Sequence, residues 1–154
     1  NGIDGFVSTV LGVAAGEGDG GGGPVVALCG DLTFLHDTGG LLDAARRDID
    51  TVLVVVDNCG GGIFSFLPQA GLADHFETLW GTPHHVDLAA LCAVHGIPAI
   101  RIERASELVP AVAETVEGGG VRVVIVPTER EANVAHHRGA HQAVADALSR
   151  ARPE

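Results

Sequence analysis

Two apolar runs of strand length, separated by a segment of helical composition, constrain the fold of this chain most. Residues 25–29 and 51–56 are continuous apolar and largely β-branched runs, and residues 38–47 between them read as a helix. A strand, a helix and a second strand in this order form a right-handed crossover with parallel strands. The residues after both strands therefore lie at one edge of the sheet, where open α/β sheets bind ligands.

Polar residues and glycines follow both runs. The first run ends in Gly-Asp-Leu at 30–32, and the second is followed by Asn58 and by glycines at 60–62. The Asp31 carboxylate, the Asn58 amide oxygen and a nearby backbone carbonyl are hard oxygen ligands of the kind that Mg²⁺ takes, and phosphate oxygens would complete its octahedron. Glycines let the backbone approach a crowded phosphate group without a Cβ in the way. The pattern predicts a metal and phosphate site.

The rest of the chain continues the alternation of helices and strands. Helices are predicted over 3–15, 87–95, 106–117 and from 128 to about 151, and strands over 98–102 and 121–126. Residues 65–85 form a long irregular stretch, and such connections inside a compact domain are usually functional or mobile. We predict a single α/β domain with a doubly wound, mainly parallel sheet of four to six strands and helices on both faces.

Composition excludes some partners. The chain has 154 residues, enough for one domain with a substantial core, and a net charge of −11, which disfavours nucleic acid and anionic membrane surfaces. No run approaches the roughly 20 apolar residues of a membrane span. The three cysteines show no Cys-x-x-Cys spacing, so we expect reduced thiols in a cytoplasmic protein.

The two motifs resemble the diphosphate and metal motif of thiamine diphosphate enzymes. Asp31 and Asn58 are 27 positions apart, as that motif requires. Leu32 stands where most members have glycine. Gly-Asp-Leu-Thr with a downstream Asn-x-Gly-Gly-x-Ile-Phe-Ser-x-Leu-Pro is similar to one branch, the 2-succinyl-5-enolpyruvyl-6-hydroxy-3-cyclohexene-1-carboxylate (SEPHCHC) synthases of menaquinone biosynthesis. Segments 2–9 and 81–87 also fit that branch, and the resemblance runs from residue 1 to about residue 100.

The resemblance implies a set of site residues. Asp31, Asn58 and the Gly60 carbonyl would be the metal ligands, and the amides of Gly30 and Leu32 would donate to phosphate oxygens. The implied cofactor-binding residues are Ile3, Gly30, Asp31, Leu32, Asn58, Gly60, Gly61, Ile63 and Phe64. Ile3 is the candidate for the apolar residue that holds the cofactor bent. The implied substrate pocket contains Ile63, Phe64 and Leu67.

The resemblance also implies a reaction. With thiamine diphosphate and Mg²⁺ or Mn²⁺, this branch decarboxylates 2-oxoglutarate and transfers the resulting succinyl-semialdehyde unit to isochorismate. The activating Glu belongs to another domain, so no catalytic residue is expected in this chain.

Residues 1–154 are therefore expected to be the C-terminal diphosphate-binding (PP) domain of a longer polypeptide, because the chain begins at Asn1, without Met, inside a family motif. The piece would anchor the cofactor without turning over alone. The missing N-terminal pyrimidine-binding and central domains, and a homo-oligomer (dimer or tetramer), would complete the site.

Two other functions remain open. One is another thiamine diphosphate carboligase or decarboxylase, such as a relative of acetolactate synthase, with the same metal site and a different substrate. The other is a noncatalytic α/β binding module. A Rossmann dinucleotide enzyme is weaker, because no Gly-x-Gly-x-x-Gly follows the first strand. The glycine-rich segment 16–23 precedes a strand and lacks the Gly-Lys-Ser/Thr ending of a phosphate loop.

The histidines suggest zinc only weakly. His137 and His141 lie four positions apart on the last predicted helix, but no third ligand is near in sequence. We expect both to face solvent, and we expect the same of His84 and His85. His36 is expected in the first turn of a helix rather than at the site.

Overall fold

The computed structural model describes residues 2–151, which form a four-stranded sheet with helices on both faces. The strands are β1 (Val25–Gly30), β2 (Thr51–Asp57), β3 (Ala99–Arg101) and β4 (Val121–Pro127). All three pairings are parallel and the strand order is β1-β2-β4-β3. The predicted fold class is confirmed, with the strand count at the lower end of the predicted range.

The helices and turns alternate with these strands. The α-helices are α1 (Phe6–Asp19), α2 (Asp31–His36), α3 (Ala73–Phe76), α4 (Leu88–Val94), α5 (Leu108–Glu117) and α6 (Arg130–Ala151). Short 3-10 turns cover Thr38–Leu41, Ala44–Arg46, Gly62–Phe66, Pro68–Gly71 and Ala105–Glu107, and Glu77–Gly81 is a π turn. The Asp87 carboxylate caps α4 by accepting the Ala90 N–H at 3.0 Å.

Each face of the sheet has its own core. On one face α1, α2 and α4 bury side chains such as Val7, Phe34 and Cys92 against the strands. On the other face α5 covers the centre of the sheet. The β1 side chains Val26 and Leu28 lie on that second face and are 49% and 67% exposed.

The register of β1 and β2 places the predicted site. Gly30 at the end of β1 pairs with Val56 near the end of β2. Parallel strands end at the same edge of a sheet, so Asp31 emerges beside Asp57 and Asn58. Thr51 at the start of β2 pairs with Val121, so β4 ends at that edge too.

The predicted helix over 38–47 is wrong. An α-helix begins instead at Asp31, directly after β1, and the rest of the segment forms two 3-10 turns. Asp43 has φ +60°, a left-handed conformation that stops a helix. A Cβ at Gly40 would lie 2.7 Å from Ser8 Oγ of α1, so glycine is needed there for close packing. The first helix also begins three residues later than predicted.

Helix α6 is the longest helix and has no buried residue. It contacts the Gly62–Phe66 turn through the rings of His137 and Phe66, whose centroids lie 5.2 Å apart. Within residues 2–151, every helix is either too short or too polar to cross a bilayer.

Candidate functional site

Asp31 is the buried centre of the site. Its side chain is 1% exposed, at the junction of β1 and α2. Oδ2 accepts the N–H groups of Asn58 at 3.2 Å and Gly60 at 2.9 Å and lies 3.1 Å from His84 Nε2. Oδ1 accepts the adjacent Leu32 N–H at 2.7 Å. Oδ2 thus has three nitrogen neighbours, whereas Oδ1 has one, and because a carboxylate oxygen has about two lone pairs, Oδ1 keeps capacity for a cation.

Asn58 carries an oxygen that lacks a partner. Its Oδ1 is buried and accepts no hydrogen bond from any residue between 2 and 151. Leaving such an atom unpaired costs about 1–3 kcal/mol, which indicates a ligand at this point. A Cβ at Gly62 would lie 2.6 Å from Asn58 Nδ2, so glycine there makes room for the amide. Asn58 is joined to Asp31 by its backbone N–H, and carboxylate and amide oxygens are ligands of the kind that Mg²⁺ takes.

The glycines also let a second segment approach the site. Gly60 has φ +143°, and a Cβ there would collide with the Gly81 carbonyl oxygen. The Gly61 N–H donates to that same carbonyl at 2.8 Å, and a Cβ at Gly61 would collide with the carbonyl oxygen of Trp80. The π turn therefore packs directly on Gly60 and Gly61, two of the glycines that were predicted to let the backbone approach a phosphate group.

An ion pair holds this π turn against α6. Arg130 Nη2 donates to Glu77 Oε2 at 2.7 Å, and the Arg130 side chain is 19% exposed. The Thr82 N–H donates to the Glu77 carbonyl at 2.7 Å and closes the turn. The sequence pattern missed this pair because its residues lie 53 positions apart. Arg130 is thus connected to the site indirectly: it binds Glu77 of the π turn, and the Gly81 carbonyl of that turn accepts the Gly61 N–H.

The prediction that His84 faces solvent is wrong. Its side chain is 11% exposed, with Nε2 3.1 Å from Asp31 Oδ2 and 4.0 Å from Asp57 Oδ1. Asp31, Asp57 and His84 each offer a ligand atom, all within 4.8 Å of one another. The neighbouring His85 is exposed as predicted. In the sequence, the only signal for His84 is that segment 81–87 resembles the family.

The remaining candidate residues divide between the site and the surface. Gly30 is half-buried at the end of β1. The Leu32 amide, predicted to donate to phosphate, donates to Asp31 in this structure. Three candidates are at the surface: Ile3 before α1 is 36% exposed, Ile63 is 69% exposed and Leu67 is 40% exposed. Phe64 is half-buried. The structure brings together Asp31, Asn58 and Gly60.

The other histidines lie away from this cluster or pair elsewhere. His137 and His141 have ring centroids 6.3 Å apart, and His137 Nδ1 lies 3.0 Å from the Asn133 carbonyl oxygen of α6. His36 lies at the end of α2 rather than in a first turn, 3.4 Å from Asp4 Oδ1.

The cysteines are free thiols with different environments. Burial, with a smaller contribution from the charge of Asp31, raises the pKa of Cys29 from 9.0 to about 12. Burial, with a smaller contribution from Asp87, raises the pKa of Cys92 to about 11. Cys59 lies between the predicted metal ligands, half-buried. None of the three forms a disulfide.

The family model described as thiamine pyrophosphate enzyme, C-terminal TPP binding domain, matches residues 6–126. The chain belongs to this family.

Curated relatives have the same kind of domain within longer chains. The chain is 44% identical over 151 residues to a protein of Chloroflexus aurantiacus, covering 98% of this chain and 25% of the relative. It is 49% identical over 140 residues to a protein of Myxococcus xanthus, covering 90% of this chain and 23% of the relative. Both relatives are named SEPHCHC synthase. The chain therefore spans about a quarter of the length of the curated relatives it matches.

Solved structures of thiamine diphosphate enzymes share the fold. Benzoylformate decarboxylase from Polynucleobacter necessarius matches with a TM-score of 0.69 and 25% identity, over 80% of this chain and 23% of that chain. A putative thiamin diphosphate-dependent enzyme from Mycobacterium smegmatis matches with a TM-score of 0.63 and 23% identity, over 80% of this chain and 21% of that one.

Proposed function

We propose that residues 1–154 are the diphosphate-binding domain of a SEPHCHC synthase. The whole protein would decarboxylate 2-oxoglutarate and transfer the four-carbon unit to isochorismate, a step of menaquinone biosynthesis. The observation that carries the cofactor part of the proposal is the buried Asn58 Oδ1, which lacks a partner among the described residues, together with Asp31 Oδ1, which accepts only the Leu32 N–H there. The names of the relatives support the substrates.

The metal holds the diphosphate in this proposal. Asp31 Oδ1, Asn58 Oδ1 and the Gly60 carbonyl would bind Mg²⁺ or Mn²⁺, which prefer oxygen ligands. Gly30, Leu32 and Gly61 would lie against the phosphate oxygens, with the Leu32 amide leaving Asp31 for phosphate. When bound, thiamine diphosphate supplies the reactive carbon for decarboxylation and transfer of a 2-oxo acid unit.

The apolar residues would form the other wall of the site. Ile63, Phe64 and Leu67 would exclude water from the reacting carbon and line the acceptor pocket. Their exposure in this domain supports the view that further groups cover them in the whole protein. Ile3 would hold the cofactor bent.

The whole protein would supply what this domain lacks. We expect a pyrimidine-binding domain with the activating Glu, a central domain, and a homo-oligomer in which sites form between subunits. The share of the relatives that this chain covers supports the additional domains. The three free thiols support a cytoplasmic protein.

A second candidate is another thiamine diphosphate decarboxylase or carboligase. The fold shared with benzoylformate decarboxylase favours it, because that enzyme is named for a different 2-oxo acid. A noncatalytic module is the third candidate.

Release of CO₂ by the full-length parent protein separates these candidates. The protein is supplied with thiamine diphosphate, Mg²⁺ and 2-oxoglutarate, with and without isochorismate, beside Asp31→Ala and the exposed control Asp48→Ala. The proposal expects release that isochorismate stimulates, that Asp31→Ala abolishes and that Asp48→Ala retains. Consumption of pyruvate instead would support the second candidate, and turnover of neither acid would support the third.

A further inference from the structure

We infer that His84 is a positioning residue for the metal-binding carboxylate: it donates from Nε2–H to Asp31 Oδ2 and so leaves Oδ1 for the cation. The inference rests on the proposed metal site. The Nε2 to Oδ2 distance is 3.1 Å, both side chains are nearly buried, and the two residues lie 53 positions apart. The contact therefore depends on the fold rather than on a local turn.

The backbone decides which nitrogen of His84 carries the proton. The Val86 N–H donates to His84 Nδ1 at 3.0 Å. A ring nitrogen that accepts a hydrogen bond has no proton, so in the neutral ring the proton is on Nε2. Nε2 is then a donor, and Asp31 Oδ2 is the acceptor within reach.

Distance excludes the other carboxylate as the principal partner. Asp57 Oδ1 lies 4.0 Å from His84 Nε2, beyond hydrogen-bond range, and accepts the Cys59 N–H at 3.2 Å. Asp57 Oδ2 also lies 3.9 Å from Arg101 Nη1. Asp57 is thus engaged elsewhere, and the single donor of His84 goes to Asp31.

The segment that carries His84 is held in an unusual conformation. Thr82 and His85, neither of them glycine, have φ of +38° and +53°. Left-handed backbone is unfavourable for residues other than glycine and persists where the surroundings hold it. The backbone on both sides of His84 is therefore specialised to aim this ring at Asp31.

The assignment as a positioning residue has a consequence for metal preference. If His84 only donates to Asp31, the cation has oxygen ligands alone, and Mg²⁺ and Mn²⁺ binding depend on His84 equally. If His84 were itself a ligand, its nitrogen would favour Mn²⁺ over Mg²⁺, because imidazole suits transition metals.

The test measures metal binding by the full-length protein in the presence of thiamine diphosphate. Free Mn²⁺ is followed by electron paramagnetic resonance, and Mg²⁺ is measured by competition. The variants are His84→Leu, His84→Gln and Asp31→Ala, with His136→Leu on the exposed surface of α6 as matched control.

We expect His84→Leu to raise the Kd of Mn²⁺ and Mg²⁺ alike by about 10–100-fold, the usual cost of losing the partner of a metal ligand. His84→Gln should bind within a few-fold of wild type, because its amide nitrogen can replace Nε2–H. His136→Leu should match wild type, and Asp31→Ala should lose binding.

Different results overturn different statements. Wild-type metal affinity in Asp31→Ala would overturn the proposed function. Loss of binding in Asp31→Ala with unchanged Kd in His84→Leu would overturn only the role of His84. Weakened Mn²⁺ with unchanged Mg²⁺ would make His84 a ligand. If His84→Leu does not fold, the comparison is between His84→Gln, whose amide nitrogen matches Nε2, and His84→Asn, whose amide nitrogen matches Nδ1. His84→Gln must then bind the metal more tightly than His84→Asn. Equal metal affinity of the two variants would overturn the positioning role of His84.

Discussion

The metal-binding and substrate-facing parts of the site differ in how far this domain completes them. Asp31 is 1% exposed and its Oδ2 has three nitrogen neighbours drawn from two other segments of the chain. Ile63 and Leu67, a few residues beyond Asn58, are 69% and 40% exposed. In the proposed function, the domain would thus contain a complete anchor for metal and diphosphate and one wall of a substrate pocket. Changes at the anchor should weaken cofactor binding, with loss of stability where they disturb the backbone, whereas changes at the wall should affect the substrate alone.

The largest effect should come from breaking the anchor with Gly60→Ala. The left-handed backbone and the collision with the Gly81 carbonyl should lower the free energy of unfolding by more than about 3 kcal/mol. Urea denaturation of the full-length protein measures this. The control Gly12→Ala in α1, where a Cβ meets nothing within 4 Å, should be neutral or stabilising. Equal midpoints for the two variants would contradict the anchor geometry.

Asn58→Ala should separate ligand binding from folding. Without cofactor the variant should unfold within about 1 kcal/mol of wild type, because Asn58 Oδ1 has no partner to lose. At thiamine diphosphate and Mg²⁺ concentrations near 100 times Kd, wild type should gain about 2.7 kcal/mol and the variant almost nothing. Melting temperatures with and without ligands measure both effects. Asn133→Ala on α6 is the control, and a ligand-induced gain in Asn58→Ala equal to that of wild type would refute the prediction.

Arg130→Gln should loosen the anchor from the side of α6. Losing the 2.7 Å bond to Glu77 should cost about 1–2 kcal/mol of stability and raise the Kd of the cofactor a few-fold, because the π turn packs on Gly60 and Gly61. Thermal melting and cofactor titration measure the two effects. The matched Arg104→Gln removes an exposed pair at 3.8 Å and should cost under about 0.5 kcal/mol. Similar losses in both variants would show that α6 does not support the site.

Ile63→Ala should change the pocket wall and leave the anchor intact. Because Ile63 is 69% exposed, stability should change by less than about 0.5 kcal/mol. The KM for the acceptor should rise by about 10-fold, the effect of losing about 1.4 kcal/mol of apolar contact. Steady-state kinetics of the full-length protein measure this, with Val94→Ala at 82% exposure on α4 as control. A parallel rise in the Kd of the cofactor would contradict the separation of the two regions.

The smallest expected effect concerns the reactivity of the cysteine thiols, including Cys29 two residues before Asp31. With the pKa of Cys29 near 12 and that of Cys92 near 11, neither should react with iodoacetamide at pH 8, whereas Cys59 should react. Peptide mass spectrometry identifies the modified sites. Both pKa values exceed the ordinary 9.0, so the fold favours the protonated thiols. The resulting contribution to stability is full below pH 9 and is lost as the pH rises toward 12. Rapid labelling of Cys29 at pH 8 would contradict its burial.

The sequence predicted the sheet and the proximity of Asp31, Asn58 and Gly60 because both depend on local pattern. The β-branched runs identified β1 and β2, and the polar residues that end them identified Asp31 and Asn58. The helix over 38–47 was wrong because Gly40 packs against Ser8 of α1, a contact that periodicity does not encode.

His84 and Arg130 were missed for a similar reason. Each lies 53 positions from the partner that explains it, Asp31 and Glu77 respectively. Neither residue has a spacing that distinguishes it from a surface cation. Only the fold of the irregular stretch 65–85 brings them to the site.

Because the register of β1 against β2 positions Asp31, binding of the cofactor depends on correct pairing of these two strands. Gly30 pairs with Val56, and Asp31 follows directly. A slip of one residue would turn every side chain of β1 to the opposite face and carry the carboxylate away from Asn58. In the proposed function, a misregistered chain would lack the metal site and gain no stability from the cofactor, so thiamine diphosphate would stabilise only the correctly paired molecules.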